Sequence, residues 1–261
     1  MTTVPASFRG RAALVLAATG TIASAVSLEL VRQGARPCLT ARDPLRLARL
    51  AERIEARTGV RPETAVVDAT DRAAVARLLA SLEARGIVPD WVLNGIGVDP
   101  RLAGVGEPVA AVPPGTFAAC VATLVGSQCL TATVAAGPMA RRGSGTLVLL
   151  GPSTGFVARP GMATLAAAGH ALEAVGRVLA AEHGHAGLRV CCVRMPPVAG
   201  TPVVRHLIHR ARTGGGADAS GAVPRGVGRV PLTPSTAARA LLAATTPAAT
   251  APAAHALDGA I

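Results

Sequence analysis

The 261-residue chain has no tyrosine, no lysine and one asparagine, Asn94. Neither a phenol nor an ammonium side chain is therefore available to any site. Aromatic residues make up only 2% of the chain, which removes the stacking platforms that hold single-stranded nucleic acid. The opening stretch, MTTVPASFRGRAALVLAATG, lacks a long apolar segment followed by a cleavage site. Gly, Pro and Arg interrupt the later apolar runs, so neither a secretory signal nor a membrane span is expected, and the expected location is cytoplasmic. The five cysteines (Cys38, Cys120, Cys129, Cys191, Cys192) lack metal-like C-x-x-C spacing, and no metal site is expected. Cys191 and Cys192 fall in a strand-like run where neighbouring side chains face opposite ways, so they read as core residues rather than a redox pair.

What is abundant is small and aliphatic. Half the residues are apolar, so Ala, Val and Leu must fill the core. The length suits one α/β domain spanning 1–261. All 26 basic residues are arginine and stand against 15 acids, for a net charge of +11. The arginines are spread along the chain within a general Ala/Arg/Gly/Pro excess. That pattern reads as compositional bias, and nucleic-acid binding is not expected.

Short apolar runs alternate with helical segments. Strands are expected at 12–17, 37–41, 63–68, 90–95, 146–150 and 188–194. Helices are expected at 23–33, 44–57, from the N-cap Asp71 onward, at 114–140, at 162–181 and from Thr233 or Pro234. This rhythm predicts βαβ units and one Rossmann-like, doubly wound parallel sheet of about seven strands with helices on both faces. A Gly-rich tract within 196–230 reads as a mobile lid over the site rather than a domain linker.

The segment GTLVLLGPSTGFVARPGMATLAAAGH (145–170), taken with the rest of the chain, resembles the fifth strand and following helix of the short-chain dehydrogenase/reductase (SDR) family. Further landmarks follow in the family's order. Ala17-Ala18-Thr19-Gly20-Thr21-Ile22-Ala23 resembles the glycine-rich first βα turn, which receives a dinucleotide pyrophosphate at a helix N-terminus. The family's three glycines fall on Ala17, Thr21 and Ala23, while Gly20 stands one place early. Ala17 is expected to strain the turn and Thr21 to crowd a phosphate. Asp68 matches the aspartate that meets the adenine. Asn94-Gly95-Ile96-Gly97 resembles the Asn-Asn-Ala-Gly signature beside the cofactor, and LRVCCVRMPPVAGTP resembles the sixth strand and its Pro-Gly loop. The C-terminal Leu257-Asp258-Gly259 resembles the end of the family's last short strand.

The resemblance implies a cofactor site built from Ala17, Thr19, Gly20, Ile22, Arg42, Asp68, Asn94 and Gly95. Arg42 stands where NADP-using members place a cation for the ribose 2′-phosphate, and Ala41 stands where NAD users place an acid. If a dinucleotide binds, NADP(H) is favoured over NAD(H), with no cofactor at all a third possibility.

The family's Asn-Ser-Tyr-Lys set falls on Thr123, Pro152, Leu165 and Gly169. In the family, Tyr donates a proton to a carbonyl while Lys lowers its pKa and holds the ribose. Leu and Gly do neither, and Pro152 lacks even a backbone donor. The candidates for substitute chemistry are Thr123, Ser153, Thr154 and His170. One step along a helix is about 100°, which turns His170 away from the Lys position.

Arg205, His206, His209 and Arg210 repeat at i, i+4 spacing and would form a cationic face for an acidic or phenolate-bearing substrate if the segment is helical. His206 and His209 lack a third ligand for zinc.

Three functions remain open. The first is an SDR frame repurposed for cyclisation, dehydration or isomerisation of a small, apolar, polycyclic or acidic metabolite in bacterial specialised metabolism. The second is an NADP(H)-dependent oxidoreductase with an unconventional proton donor. The third is a non-catalytic SDR subunit or nucleotide-sensing partner. Expected partners are a small-molecule substrate and further SDR chains, as a homodimer, a homotetramer or a hetero-oligomer with an active member.

Overall fold

In the computed structural model, seven parallel strands form one sheet in the order β3-β2-β1-β4-β5-β6-β7. The structure describes residues 8–153, 159–213 and 232–246, and the backbone of 254–256. The strands are β1 (Ala12–Leu16), β2 (Arg36–Ala41), β3 (Glu63–Val66), β4 (Trp91–Asn94), β5 (Gly145–Pro152), β6 (Leu188–Met195) and β7 (Ala254–Ala256). The helices are α1 (Thr21–Arg32), α2 (Pro44–Thr58), α3 (Arg72–Ala84), α4 (Pro114–Val121), α5 (Ser127–Arg142), α6 (Ala163–His183), α7 (Pro202–Thr213) and α8 (Pro234–Thr245). Among the described residues the expected strands and helices are present with boundary shifts of a few residues, the helix expected at 114–140 being divided by a π-helical turn. The expected terminal Leu257-Asp258-Gly259 and most of the Gly-rich tract lie outside the described residues.

All five residues of β1 are buried, as a strand covered on both faces requires. Its side chains alternate: Ala13 and Val15 enter the core under α1, α2 and α8, while Leu14 and Leu16 enter the core under α3, α5 and α6. Asp43 and Asp71 cap α2 and α3 by accepting two backbone N–H groups each, which satisfies donors a helix start leaves bare. Two of the four aromatics pack together. Trp91 is fully buried, meets Phe8 edge to face at 6.1 Å, and donates its indole N–H to Thr245 at 3.1 Å. The two vicinal cysteines are buried and free.

Helices α4 and α5 are joined through a π-helical turn, Ala122–Gly126. Here Ser127 donates to the Thr123 carbonyl at 2.5 Å, taking up an acceptor that the wider turn releases. Gln128 then reaches β5, donating to the Leu150 carbonyl at 2.7 Å and accepting from its N–H at 2.6 Å. It replaces a strand neighbour, because β4 pairs with β5 only as far as Leu93–Val148. By length and composition alone, the continuous helix Pro114–Arg142 is long and apolar enough to cross a membrane, which qualifies the expectation of no such stretch. Its Ala132, Ala135, Ala136 and Met139 are nonetheless packed into the core beside the sheet, so it serves as a layer of the domain.

Candidate active-site cleft

A cleft of about 1160 Å³ opens at the C-terminal ends of the strands, where open α/β sheets place their ligands. Its first wall is the β1–α1 turn. Ala17 has φ +51° and is the only non-glycine with positive φ among the described residues. A left-handed L-residue costs about 1–2 kcal/mol, so the expected strain is present. Gly20 caps α1 without a side-chain bond, and Ala17, Thr19, Gly20, Thr21 and Ile22 all line the cleft.

The third replaced glycine is compensated. A Cβ on Gly95 would lie 2.5 Å from the Ala23 Cβ, far inside contact distance. Ala23 thus fills the volume that a side chain at 95 would otherwise take. Asn94 holds the same corner: its amide donates to the Ser127 carbonyl at 3.0 Å and the Thr131 hydroxyl at 2.9 Å, and its oxygen accepts from the Ile96 N–H. Asn94 is therefore a buried brace rather than a group facing the cleft.

The second replaced glycine is not neutral either. The Thr21 hydroxyl donates to the Gly200 carbonyl at 3.3 Å, tying the start of α1 to the β6–α7 loop on the opposite lip. Sequence reasoning marked Thr21 as a residue that would crowd a phosphate but did not show this partner, because no motif links positions 179 residues apart.

At the outer end, Arg42 is 78% exposed and lies 3.9 Å from Asp68. Asp68 accepts from the Thr70 N–H at 2.9 Å and the Thr70 hydroxyl at 2.7 Å. These two bonds, with a smaller contribution from Arg42, hold its carboxyl below the usual aspartate range. Arg46 also lines this end; its spacing of four from Arg42 was a signal available in the sequence.

The inner end is apolar. Thr123, Pro152 and Leu165 line the cleft beside Met162, Val203 and Leu207. Gly169 is buried on the same side of α6, and a Cβ on Gly151 of β5 would sit 3.8 Å from its Cα. Ser153 is buried and does not line the cleft, and Thr154 lies outside the described residues. His170 is exposed, with its ring against the Ala166 carbonyl at 2.9 Å, and is likewise absent from the lining.

The expected cationic helix forms as α7 but is divided. Arg205 and His209 are exposed at the cleft, while His206 and Arg210 turn inward. His206 Nε2 meets the Val105 carbonyl at 2.9 Å, and Arg210 pairs with Glu107. That loop is held from its other side by Thr164, which donates to Ala103 at 2.7 Å, and by the Gly106 N–H to Gly161 carbonyl bond at 2.7 Å. Both glycines have positive φ, and a Cβ on Gly161 would meet Gly106 backbone at 2.8 Å. Helix α7 is thus clamped to the 103–107 strap, which is itself fixed to the start of α6. No group of three or more His, Cys, Asp or Glu able to hold a metal occurs among the described residues.

Residues 16–222 match the family model described as enoyl-(acyl carrier protein) reductase. The chain belongs to the short-chain dehydrogenase/reductase family. A curated SDR relative from Xanthobacter autotrophicus, named inactive 2-(S)-hydroxypropyl-CoM dehydrogenase 2, is 33% identical over 178 residues, 68% of this chain and 74% of its own. The NAD+-bound structure of a xylitol dehydrogenase superposes with a TM-score of 0.79 at 20% identity, covering 91% of this chain and 92% of the other. The NADPH-bound structure of a short chain oxidoreductase from Pseudomonas aeruginosa PAO1, described as containing an atypical catalytic center, has a TM-score of 0.79 at 19% identity, covering 95% and 96% of the two chains.

The residues present fit a nicotinamide dinucleotide at its adenosine end. The cleft is large enough, α1 starts there without a side-chain cap, and Arg42 and Arg46 are in the lining. The fit is poorer at Thr21.

Proposed function

We propose that this SDR binds a 2′-phosphorylated adenine nucleotide of the NADP(H) type, ahead of NAD(H), and acts as a non-catalytic subunit or nucleotide-sensing partner of SDR chains. The observation that carries the reading is the buried face of α6, where Leu165 and Gly169 match the positions of the family's proton relay. A bound nicotinamide supplies hydride, but Leu165, Gly169 and Pro152 offer no acidic proton to accompany it. Arg42 and Arg46 would hold the 2′-phosphate and the bare start of α1 the pyrophosphate. The relative named as inactive supports the loss of turnover, and the NADPH-bound structure with an atypical center exemplifies the cofactor in this fold. For assembly with further SDR chains, α5 has Thr133 and Gly137, and α6 has Ala174 and Ala181, among their exposed residues.

A second reading is favoured by the apolar inner chamber with Arg159, Arg205 and His206 at its walls. There a small acidic metabolite would be positioned and desolvated for cyclisation, dehydration or isomerisation without hydride transfer.

A thermal-shift titration with NADPH, NADP+ and NAD+ tests the leading reading. Ligand at 100 times its Kd stabilises the fold by about 2.7 kcal/mol, so NADP(H) should raise the melting temperature, NAD+ should do so less, and Arg42→Glu should abolish the preference. An absence of response to all three at saturating concentration would remove the nucleotide from the account.

A further inference from the structure

The Thr21–Gly200 contact joins the two lips of the cleft, and the lining residues on its two sides differ in kind. On one side stand Arg42, Arg46 and Asp68; on the other, Leu165, Val203 and Leu207. We propose that Thr21 sets the ligand selectivity of this cleft. With the bridge closed, the site takes an adenosine bisphosphate at its charged end, and a complete dinucleotide enters only by breaking the bridge. The inference rests on the nucleotide reading above and adds a residue and a preference to it.

Three features of the contact support the assignment. Thr21 is the first residue of α1, so its branched side chain stands at the helix end where a phosphate is received, and where glycine would leave the backbone open. The bond ends on Gly200, whose φ is +78°, and a Cβ there would make only ordinary contact with Thr21 Cγ2 at 3.9 Å, so the two lips approach to van der Waals range. The neighbouring loop is restrained as well, since Ala199 donates to the Leu232 carbonyl at 2.9 Å and the Thr201 hydroxyl to the Val198 carbonyl at 2.8 Å. The far lip is therefore a restrained acceptor, and opening the bridge exchanges this solvent-exposed hydrogen bond for water while moving the Thr21 side chain out of the phosphate's path. A ligand ending at the adenosine 5′-phosphate has no need to pass this point. One that continues through a second phosphate toward the inner chamber must displace the Thr21 side chain.

The test is a set of equilibrium titrations of the full chain with adenosine 2′,5′-bisphosphate and with NADPH. The proteins compared are wild type, Thr21→Gly, Thr21→Ser and Thr21→Val, each checked by its ligand-free melting temperature. Wild type should bind the bisphosphate at least as tightly as NADPH. Thr21→Gly should tighten NADPH by about five- to tenfold, the worth of one net hydrogen bond, and leave the bisphosphate within about twofold. Thr21→Ser keeps the hydroxyl and should behave as wild type, while Thr21→Val, which keeps the bulk and loses the bond, should fall between. If Thr21→Gly does not fold, the Ser and Val proteins still separate bond from bulk. Equal NADPH affinity in wild type, Gly and Val proteins would overturn the selectivity role while leaving nucleotide binding intact. Failure of both ligands to bind any of the four would overturn the nucleotide reading itself.

Discussion

At the β1–α1 turn every replaced glycine has a structural answer, whereas at the β5–α6 end the replaced polar groups have none. Ala17 accepts a left-handed backbone, Ala23 takes the space left by Gly95, and Thr21 finds a partner across the cleft. Pro152, Leu165 and Gly169 simply pack: Leu165 joins an apolar cluster with Cys120, Leu124, Met162 and Ala168, and Gly169 lets α6 approach β5. The contrast reflects what each set of residues does. A glycine turn is shape, and shape can be restored by a neighbour that gives or takes a methyl group. A proton relay is chemistry, and no rearrangement of Leu and Gly supplies a titratable group.

The contrast breaks first at the Ala23–Gly95 pair. Gly95→Ala should destabilise the fold by about 2–3 kcal/mol through overpacking. Combining it with Ala23→Gly should recover about 1–2 kcal/mol of that loss, the coupling expected of residues in contact. Full recovery is not expected, because the new Cβ also lies 3.2 Å from the Leu16 carbonyl. Denaturant unfolding of the four proteins of the cycle would show it, and additive effects would mean that Ala23 is not the compensating residue.

A smaller effect sharpens the strain at the first position. Ala17→Gly should stabilise by about 0.5–1 kcal/mol, the relief of the left-handed alanine less the entropy a glycine gains when unfolded. No gain in melting temperature would place the turn's strain elsewhere.

The smallest concerns Asp68. Its pKa in the folded chain lies below its unfolded value because the Thr70 amide and hydroxyl bond the carboxylate. Its stabilisation is therefore present above the unfolded pKa, about 4, and fades as the pH falls through the lower folded value. Melting curves of wild type and Asp68→Asn should converge as the pH drops below 4 and stand apart above it, by a modest amount given that the side chain is 40% exposed. A gap unchanged across that range would mean that the carboxylate charge contributes nothing.

Much of the fold was legible because its signals are local and redundant. Each buried strand is a short apolar run, and Asp43, Asp71 and Thr233 announce their helices as N-caps. That no Tyr or Lys can serve any relay in this chain was legible from composition alone. What could not be read were contacts made across the chain. The Thr21–Gly200 bridge, the Ala23–Gly95 exchange of volume and the clamping of α7 by Val105 and Glu107 all join residues far apart in sequence. The i, i+4 spacing correctly marked a basic helix at 205–210, yet it could not show that His206 and Arg210 face the strap while Arg205 and His209 stay outside. The π-helical turn at Thr123 also leaves no periodicity to detect, since one extra residue per turn only shifts the pattern.

The central claim is that this cleft keeps a nucleotide site and has lost its hydride chemistry. The most direct measurement follows the nicotinamide absorbance of NADPH, at a concentration shown by titration to saturate the protein, with a broad panel of aldehydes, ketones and enoyl thioesters. The account predicts that NADPH binds and stays unoxidised, at the rate of the protein-free control. Oxidation that scales with protein concentration and disappears in Arg42→Glu would contradict it, and would mean that another proton donor serves this cleft.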